Sequence, residues 1–374
     1  MPIGKAAIFV EPYRFDVTEL PTPEVEPGGI LVKIESAGIC GSDLHYWRGE
    51  MKPMLKGKPG PVILGHEMTG VVAVLGEGVF TDSLGYPLKE GDRLAYTYFF
   101  PCRRCYVCLR GELNNCPDRF RFRASVEEAP YCDGGFAEYF YLHPGHFAFK
   151  VPDILPDSAV TAANCAVSQV VYAVHQAQLR MGDSVVIQGA GGLGLNAIGA
   201  ASEMGAGQII AIDGLSNRLE LARQTGANET VDIKEYNTPE ARIERVKQLT
   251  EGRGADVVIE VVGYPQVVVE GIGMLRNGGT LVEIGNIWPG SDVTFDISKL
   301  LMTGKRIITT AHYDPYILPI AMDFLVRTMD TTPLTKVMSH SFPLEEINDA
   351  FKQSEWLGKN EEPIITRALI SPTG

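Results

Sequence analysis

The fold class of this chain follows from residues 184–194, which read SVVIQGAGGLG. An apolar run of strand length leads directly into glycines spaced G-x-G-x-x-G. The first glycine allows a tight turn, the second lets the backbone approach a pyrophosphate, and the third lets the next helix pack on the strand. Unpaired N–H groups at the start of that helix attract phosphates. The motif predicts a dinucleotide-binding turn, whose candidate contact residues are Gly189, Gly191, Gly192, Leu193 and Gly194.

An acidic residue follows this motif at the spacing that such turns require. Asp213 closes the apolar run 208–212 and stands 19 residues after Gly194. A carboxylate there accepts hydrogen bonds from the adenosine ribose and repels a 2′-phosphate, so we predict NAD rather than NADP. Arg218 is close enough in sequence to contact the same ribose and leaves NADP open. The alternative to the whole interpretation is an ordinary glycine-rich turn with a surface aspartate.

Apolar segments of strand length recur after residue 183, and most of them are separated by segments of helix length. They are Ser184–Gln188, Gln208–Asp213, Glu229–Asp232, Asp256–Val261, Gly279–Gly285 and Arg306–Ala311. Continuous apolar strands that alternate with helices indicate a parallel sheet covered on both faces. The sequence therefore predicts the α/β class, with a doubly wound parallel-sheet (Rossmann) domain that binds the cofactor.

The residues on either side of this region have a different composition. Residues 1–165 contain short strand-like runs broken by Gly and Pro, such as 30–34 and 70–76, which is typical of a β-barrel-like domain. A chain of 374 residues is too long for one ordinary core. We expect a catalytic domain of residues 1–165 and 315–374, because the last segment lacks the strand–helix alternation, and a cofactor domain of residues 166–314.

Composition and charge exclude several classes of protein. The net charge of −13 argues against nucleic acid or an anionic membrane as partner, since both attract clustered Lys and Arg. No apolar run approaches the ~18 residues that would span a bilayer. The first residues, MPIGKAAIFV, carry too little positive charge for a signal peptide and read as a strand. Seven cysteines, an odd number, suit a reducing compartment, and we expect the cytoplasm.

Four of the cysteines lie in one short segment with the spacing C-x2-C-x2-C-x7-C. They are Cys102, Cys105, Cys108 and Cys116. Four thiolates from one loop make a closed tetrahedral zinc site, which contributes folding free energy to a lobe with little core of its own. We therefore predict a structural zinc lobe at about residues 100–118.

Two other interpretations of this cysteine segment remain. An iron–sulfur cluster is disfavoured because seven residues, not three, separate the last two cysteines. A zinc module that reads nucleic acid is suggested by the local arginines, but the segment lacks a recognition helix and the chain is acidic.

Two further cysteines and a histidine suggest a second, open metal site. Cys40 lies in GICGSDLH, His66 in GHE and Cys165 in NCA. Zinc accepts thiolate and imidazole ligands, and a catalytic site keeps one position for water or substrate. A single buried cysteine is more often a small apolar residue, and a lone histidine is more often part of the core. Spacing alone therefore leaves these ligand assignments open.

Taken together, the motifs resemble those of the zinc-containing alcohol dehydrogenases of the medium-chain dehydrogenase/reductase superfamily. The resemblance covers essentially the whole chain, since GICGSDLH, GHE, the four-cysteine lobe, NCA, GAGGLG and the Asp213 strand occur in the family's order and near its spacing. It implies a GroES-like catalytic domain in which Cys40, His66 and Cys165 bind a catalytic zinc. It also implies that Glu67 lies beside this metal as an alternate ligand.

The same resemblance gives roles to residues around these ligands. Asp43 is expected to hydrogen-bond His66 and fix its tautomer. Ser42 and His45 match the family's proton relay, and Arg367 loosely matches an arginine that binds the cofactor pyrophosphate.

The chain departs from the family pattern at several positions. Gly41 stands where some relatives carry a basic residue that contacts pyrophosphate. Cys165 replaces the glutamate of the polyol branch, which argues against a sorbitol dehydrogenase. Residues 81–88 and 121–131, and Cys132, match no motif.

These observations predict an NAD-dependent zinc alcohol dehydrogenase that holds two zinc ions per chain and reversibly oxidises a primary or secondary alcohol to an aldehyde or ketone. Its partner is a small-molecule alcohol or carbonyl compound, and we expect a homodimer or homotetramer. The alternatives are a polyol or glutathione-adduct dehydrogenase of the same superfamily, or a non-catalytic NAD-binding relative. Apolar side chains that flank the metal motifs favour a medium-sized apolar or cyclic alcohol, although aromatic residues in such runs are more often part of core or barrel packing; they are Tyr46, Trp47, Met51, Tyr98, Phe99 and Phe100.

Overall fold

The computed structural model describes residues 3–50, 61–120, 125–127, 131–287, 290, 292–355 and 367–373. The strands are β1 (Ile3–Glu11), β2 (Arg14–Pro21), β3 (Ile30–Gly38), β4 (Val62–Ile63), β5 (Glu67–Leu75), β6 (Arg93–Tyr96), β7 (Tyr139–Leu142), β8 (Ala148–Lys150), β9 (Ser184–Gln188), β10 (Gln208–Asp213), β11 (Glu229–Asp232), β12 (Ala255–Glu260), β13 (Leu275–Glu283), β14 (Arg306–Thr309), β15 (His340–Pro343) and β16 (Ala368–Ser371). The helices are α1 (Gly41–Trp47), α2 (Tyr106–Leu109), α3 (Asp157–Val160), α4 (Ser168–Gln176), α5 (Gly192–Glu203), α6 (Ser216–Thr225), α7 (Pro239–Leu249), α8 (Pro265–Met274), α9 (Ile297–Thr303), α10 (Ile317–Thr328) and α11 (Ile347–Ser354).

The chain divides into two compact units. One consists of Met1–Cys165, Asp314–Val326 and Thr335–Gly374, and the other of Ala166–Tyr313 and Arg327–Leu334. Each unit contains its own cluster of buried apolar side chains. Among the helices of the described ranges, none is long and apolar enough to cross a membrane.

The second unit is built on a parallel sheet. Its described strands follow the order β11-β10-β9-β12-β13-β14, and every neighbouring pair is parallel. All five residues of β9 are buried, because helices cover both faces of such a sheet. The strand order reverses direction on either side of β9, as in doubly wound dinucleotide folds. The predicted α/β class is therefore confirmed.

Strand β13 begins earlier than the sequence predicts. It starts at Leu275 rather than Gly279, because α8 ends at Met274 and passes into the strand without a loop. The sequence RNGG at 276–279 reads as a turn, and the pairing with β12 shifts register there, since Leu275 pairs with Ala255 and Thr280 with Val257.

The first unit is rich in antiparallel strands that surround an apolar core. Strands β16, β3, β5, β6 and β8 pair in that order, each antiparallel to the next. Aromatic rings fill the core: Phe15 lies 4.7 Å from Phe351 and 6.3 Å from Phe136 between ring centroids, and Trp47 lies 5.8 Å from Phe351. This core ties the C-terminal segment to the N-terminal strands.

The pairing of three strands brings distant segments together. Gly38, at the end of β3, pairs with Glu67 at the start of β5 and with Leu369 of β16. The N–H of Ile39 donates to the carbonyl of Ala368 at 3.0 Å. The residues just after β3 therefore meet the residues just before β5 and those just before β16 at one end of this sheet.

Candidate metal centres and dinucleotide-binding turn

The first candidate site lies where β3, β5 and β16 meet. Cys40 follows β3 and precedes α1, His66 directly precedes β5, and Glu67 is the first residue of β5. Cys165 comes from the turn Ala163–Val167, which leads into α4. The ligand atoms of these four side chains all lie within 4.8 Å of one another.

The donors of this cluster fit a zinc ion chemically. Two thiols, one imidazole and one carboxylate are all ligands that zinc accepts. A hydrogen bond from Cys165 holds the pKa of the Cys40 thiol well below its ordinary value, although burial opposes this. The same hydrogen bond and burial raise the pKa of Cys165 well above its ordinary value. Metal binding requires thiolates, so a cation bound here would displace the thiol proton.

Asp43 orients His66 from the far side of the ring. Its Oδ1 atom lies 3.4 Å from His66 Nδ1 and also accepts the N–H of Gly65 at 3.3 Å, while Oδ2 accepts the N–H of Cys40 at 3.0 Å. Burial acts to lower the pKa of His66, but Asp43 and Cys40 raise it well above its ordinary value. Nδ1 therefore carries a proton toward Asp43, and Nε2 is the nitrogen left to bind a metal. Ser42 Oγ lies 3.4 Å from that Nε2 atom.

Arg367 lies inside this cluster, whereas the sequence resemblance predicted that its side chain contacts the cofactor. Its guanidinium donates to Glu67 Oε2 at 2.5 Å and to Cys40 Sγ at 3.5 Å. Burial raises the pKa of Glu67 to about 7, although Arg367 acts to lower it. The second carboxylate oxygen, Oε1, is buried without a hydrogen-bond partner among the described residues, as expected of an atom placed to approach a metal. The pyrophosphate role of Arg367 stays a prediction.

His45 lies in the last turn of α1, and sequence reasoning missed the residues around it. Its Nδ1 atom is 2.8 Å from Glu50 Oε2 and 3.0 Å from Arg48 Nη2. Arg48 also pairs with Glu355, which lies 307 positions away in the chain. No short motif signals this arrangement, because it depends on the return of the C-terminal segment.

The four cysteines of the segment 100–118 form the second candidate site. The sulfurs of Cys102, Cys105, Cys108 and Cys116 lie within 4.8 Å of one another. Cys105 caps the start of α2, and backbone N–H groups donate to the sulfurs of Cys116 (3.2 Å) and Cys102 (3.3 Å). A backbone N–H of Arg104 lowers the pKa of Cys102 to about 6, whereas burial raises the pKa of Cys108 to about 12. Four sulfurs arranged around one point fit a closed zinc site.

The glycine-rich turn in the second unit has the geometry that its sequence predicts. Gly189 has φ +96°, which L side chains rarely adopt, and Gly191 caps the start of α5. A Cβ atom on Gly194 would lie 1.9 Å from the carbonyl oxygen of Gly189, so only glycine fits there. Gly192 and Leu193 are the first two residues of α5.

Asp213, at the end of β10, binds the backbone of this turn. Its Oδ2 atom accepts the N–H of Ala190 at 2.8 Å, and Oδ1 accepts the N–H groups of Gly214 at 2.7 Å and Leu215 at 3.0 Å. Arg218 Nη1 lies 3.7 Å from Asp213 Oδ2. The carboxylate therefore has a structural contact in addition to the ribose contact predicted for it.

Comparison with known proteins gives matches along both units. The alcohol dehydrogenase GroES-like domain family matches residues 26–153, and the zinc-binding dehydrogenase family matches residues 192–327. The chain is 33% identical to the 5-exo-hydroxycamphor dehydrogenase of Pseudomonas putida, over 99% of this chain and 100% of that protein. It is 31% identical to the erythritol/L-threitol dehydrogenase of Mycolicibacterium smegmatis, over 91% of each.

A solved structure extends the similarity to the whole fold. The crystal structure of an alcohol dehydrogenase from Thermotoga maritima matches with a TM-score of 0.89 at 29% identity, over 100% of both chains.

Proposed function

The chain belongs to the zinc-containing alcohol dehydrogenases of the medium-chain dehydrogenase/reductase superfamily, and we propose that it reversibly oxidises an apolar cyclic alcohol to its ketone with NAD. The broader class, an oxidoreductase that acts on CH–OH groups, is shown by the family itself. The observation that carries the proposal is the cluster of Cys40, His66, Glu67 and Cys165, with Asp43 on the outer nitrogen of His66.

The roles of the residues in this cluster follow from their positions. Cys40, His66 and Cys165 would hold zinc, and Glu67 would lie beside it as an alternate ligand. Zinc bound there supplies a Lewis acid that lowers the pKa of a substrate hydroxyl. Asp43 keeps Nε2 of His66 directed at the ligand cluster, and Arg367 balances the buried charge of Glu67.

Two further residues would move the substrate proton. Ser42 lies beside His66 Nε2, so its hydroxyl is placed to accept the proton from a substrate hydroxyl. His45, whose side chain is 30% exposed, is placed to release a proton to solvent. The nicotinamide ring supplies the hydride acceptor.

The choice of NAD rests on Asp213. A carboxylate at this position accepts the ribose hydroxyls and repels a 2′-phosphate. Arg218 is the feature that would favour NADP, but its contact with Asp213 engages part of its charge.

We propose a structural zinc at Cys102, Cys105, Cys108 and Cys116, which gives two zinc ions per chain. All seven cysteines are free thiols. Because unpaired thiols persist in reducing compartments, we propose the cytoplasm as the location.

The substrate class is inferred from the surroundings of His66. The ring of Tyr98 lies 5.0 Å from that of His66, and Tyr98 also stacks with Phe120 at 6.4 Å. These rings supply an apolar wall, whereas a polyol needs several polar partners. Trp47 is only 4% exposed and packs in the core, and Phe99 (2%) and Phe100 (8%) are also buried. The candidate pocket residue Met51 lies outside the described residues.

We also propose a homo-oligomer. Helix α9 exposes Ile297 (68%), Leu301 (80%) and Met302 (83%). This helix directly precedes β14 in the chain, and β14 is the last strand in the described order of the parallel sheet. The opposite end strand, β11, carries acidic residues, which discourage edge pairing. Light scattering after size-exclusion chromatography tests this, and a monomer at micromolar concentration would contradict it.

A panel of alcohols tests the activity, cofactor and substrate class together. Purified, zinc-loaded protein is mixed with bicyclic secondary alcohols, cyclohexanol, erythritol or sorbitol, and NAD or NADP, while reduced nicotinamide is followed by absorbance. We expect the highest kcat/KM with NAD and a cyclic secondary alcohol. Preference for erythritol or sorbitol would replace the substrate proposal with a polyol dehydrogenase. No turnover with any alcohol would overturn the proposed activity.

A further inference from the structure

Charged side chains surround His45 at the end of α1. His45 Nδ1 lies 2.8 Å from Glu50 Oε2 and 3.0 Å from Arg48 Nη2, and Arg48 Nε donates to the same Glu50 oxygen at 2.9 Å. The Nη1 atom of Arg48 donates to both oxygens of Glu355, at 3.0 and 3.1 Å. The Arg48 side chain is 6% exposed and that of Glu355 15%, so the guanidinium is held in one orientation. One ring nitrogen thus contacts both an anion and a cation.

These two contacts favour opposite tautomers of the neutral ring. A carboxylate only accepts, so Glu50 requires a proton on Nδ1, whereas a guanidinium only donates, so Arg48 requires a lone pair on Nδ1. Burial acts to raise the pKa of the Glu50 carboxyl, but hydrogen bonds from Arg48 and His45 hold it below its ordinary value. Glu50 is therefore an anion at neutral pH, and a lone pair on Nδ1 would face it at hydrogen-bond distance. The contact with the anion is also the shorter one.

We propose that Glu50 is a positioning residue that keeps His45 in the Nδ1–H tautomer against the opposing contact of Arg48 with the same nitrogen. The inference rests on the proposed function, in which His45 takes up the substrate proton. In this tautomer Nε2 carries the lone pair. The O–H bond of the hydroxyl group that delivers the substrate proton breaks as a new N–H bond forms at Nε2, and the same proton then leaves Nε2 for water, which restores the neutral ring.

Nitrogen NMR measures the tautomer without substrate or cofactor. Zinc-loaded protein is labelled with ¹⁵N-histidine, and the His45 resonances are identified by their loss in His45→Gln. We expect the wild type to be protonated on Nδ1 at a pH where the ring is neutral. Glu50→Met removes this acceptor while Arg48 Nη2 stays in contact with Nδ1, so the ring should change to the Nε2–H tautomer. Glu50→Asp, which keeps a carboxylate, should restore the Nδ1–H form at least in part.

The matched control removes the cation instead of the anion. The double variant Arg48→Met/Glu355→Met avoids leaving an unpaired buried charge and should keep the Nδ1–H tautomer. A wild type with the proton on Nε2, or a Glu50→Met variant that retains it on Nδ1, would overturn the proposal.

Kinetics provide an independent measurement. In Glu50→Met, kcat for alcohol oxidation should fall roughly tenfold or more, since the Nε2–H tautomer cannot accept the substrate proton at Nε2. The loss should be largest at low pH and partly recovered by added imidazole, with KM little changed. A pH-independent loss that imidazole does not restore would argue for a merely structural role and overturn the assignment. If the wild type oxidises no alcohol, the proposed function fails, while the NMR result still decides the tautomer.

Discussion

Arg367 donates to Glu67 Oε2 at 2.5 Å, and the two side chains are 9% and 0% exposed. The residues lie 300 positions apart in the chain, yet they form an ion pair within the candidate catalytic metal site. A buried pair of this kind tolerates the loss of one partner poorly, because the remaining charge has no compensation.

Substitution of Arg367 is therefore expected to weaken both the fold and the metal site. Arg367→Met leaves Glu67 without its cation, which raises the already elevated pKa of the carboxyl and favours the protonated form that binds metal poorly. We expect a loss of about 3 kcal/mol in unfolding free energy and a lower zinc content. Denaturant unfolding and elemental analysis measure the two effects. Arg367→Lys is the control and should retain most of both; equal losses in the two variants would contradict a charge-based role.

Substitutions in the two sets of cysteines should have different effects on activity and stability. Cys40→Ala and Cys165→Ala each remove one ligand from an open site on a packed scaffold, so we expect turnover to vanish while the melting temperature and NAD binding change little. Cys105→Ala and Cys108→Ala break a closed site that organises its own loop, so the melting temperature should fall and aggregation should increase.

Zinc content measured on all four variants distinguishes the sites, since each variant should lose one of two zinc ions. Full stability combined with complete loss of activity in the Cys105 and Cys108 variants would make the four-cysteine lobe part of the active site. A wild-type ratio near one zinc per chain would remove one of the two assignments.

Asp213 should influence cofactor binding in two ways. Asp213→Ala removes the acceptor for the ribose and the repulsion of a 2′-phosphate, so the preference for NAD over NADP should decrease. It also releases the N–H groups of Ala190, Gly214 and Leu215, so NAD itself should bind more weakly. Calorimetric titration with both cofactors measures the ratio. Asp232→Ala is a matched control, because Asp232 is the register partner of Asp213 on β11; a wild type that already prefers NADP would refute the role of Asp213.

A buried acidic pair should make the stability of the second unit depend on pH. Glu260 and Glu283 are register partners at the ends of β12 and β13, and burial together with Glu283 raises the pKa of Glu260 from 4.5 to about 8. Between these values the folded state retains a proton that the unfolded state has released. The unfolding free energy should therefore decrease as pH rises through this range, by up to about 1.4 kcal/mol per pH unit.

Denaturant unfolding of the wild type and two variants tests this pH dependence. Glu283→Gln removes the neighbouring negative charge, so the slope between about pH 4.5 and 8 should become shallower. The exposed Glu220 provides the control, since Glu220→Gln should leave the slope unchanged. A Glu283→Gln slope equal to that of the wild type would show that the pair does not retain a proton.

Features confined to short stretches could be predicted from the chain. The turn at Gly189–Gly194, the carboxylate at Asp213 and the four-cysteine segment depend on neighbours in sequence, so spacing and residue type suffice to recognise them. The parallel sheet could also be predicted, because its central strands β9, β10 and β12 are buried on both faces and appear as continuous apolar runs. The start of β13 could not be predicted, because α8 passes directly into the strand at Leu275 and the turn-like sequence RNGG follows only after that point.

Other features exist only through tertiary contacts. Cys40, His66 and Cys165 meet because β3 pairs with β5 and the turn before α4 packs beside them, and no local pattern specifies that register. Arg367 lies on Glu67 because β16 pairs with β3, and Glu355 lies on Arg48 because α11 packs into the same core. The residue types at these positions supply the zinc ligands and the proton-transfer groups. The burial of apolar faces determined which of these side chains contact one another. Contacts between residues about 300 positions apart depend on the whole packed core, so they are decided only when the chain has folded.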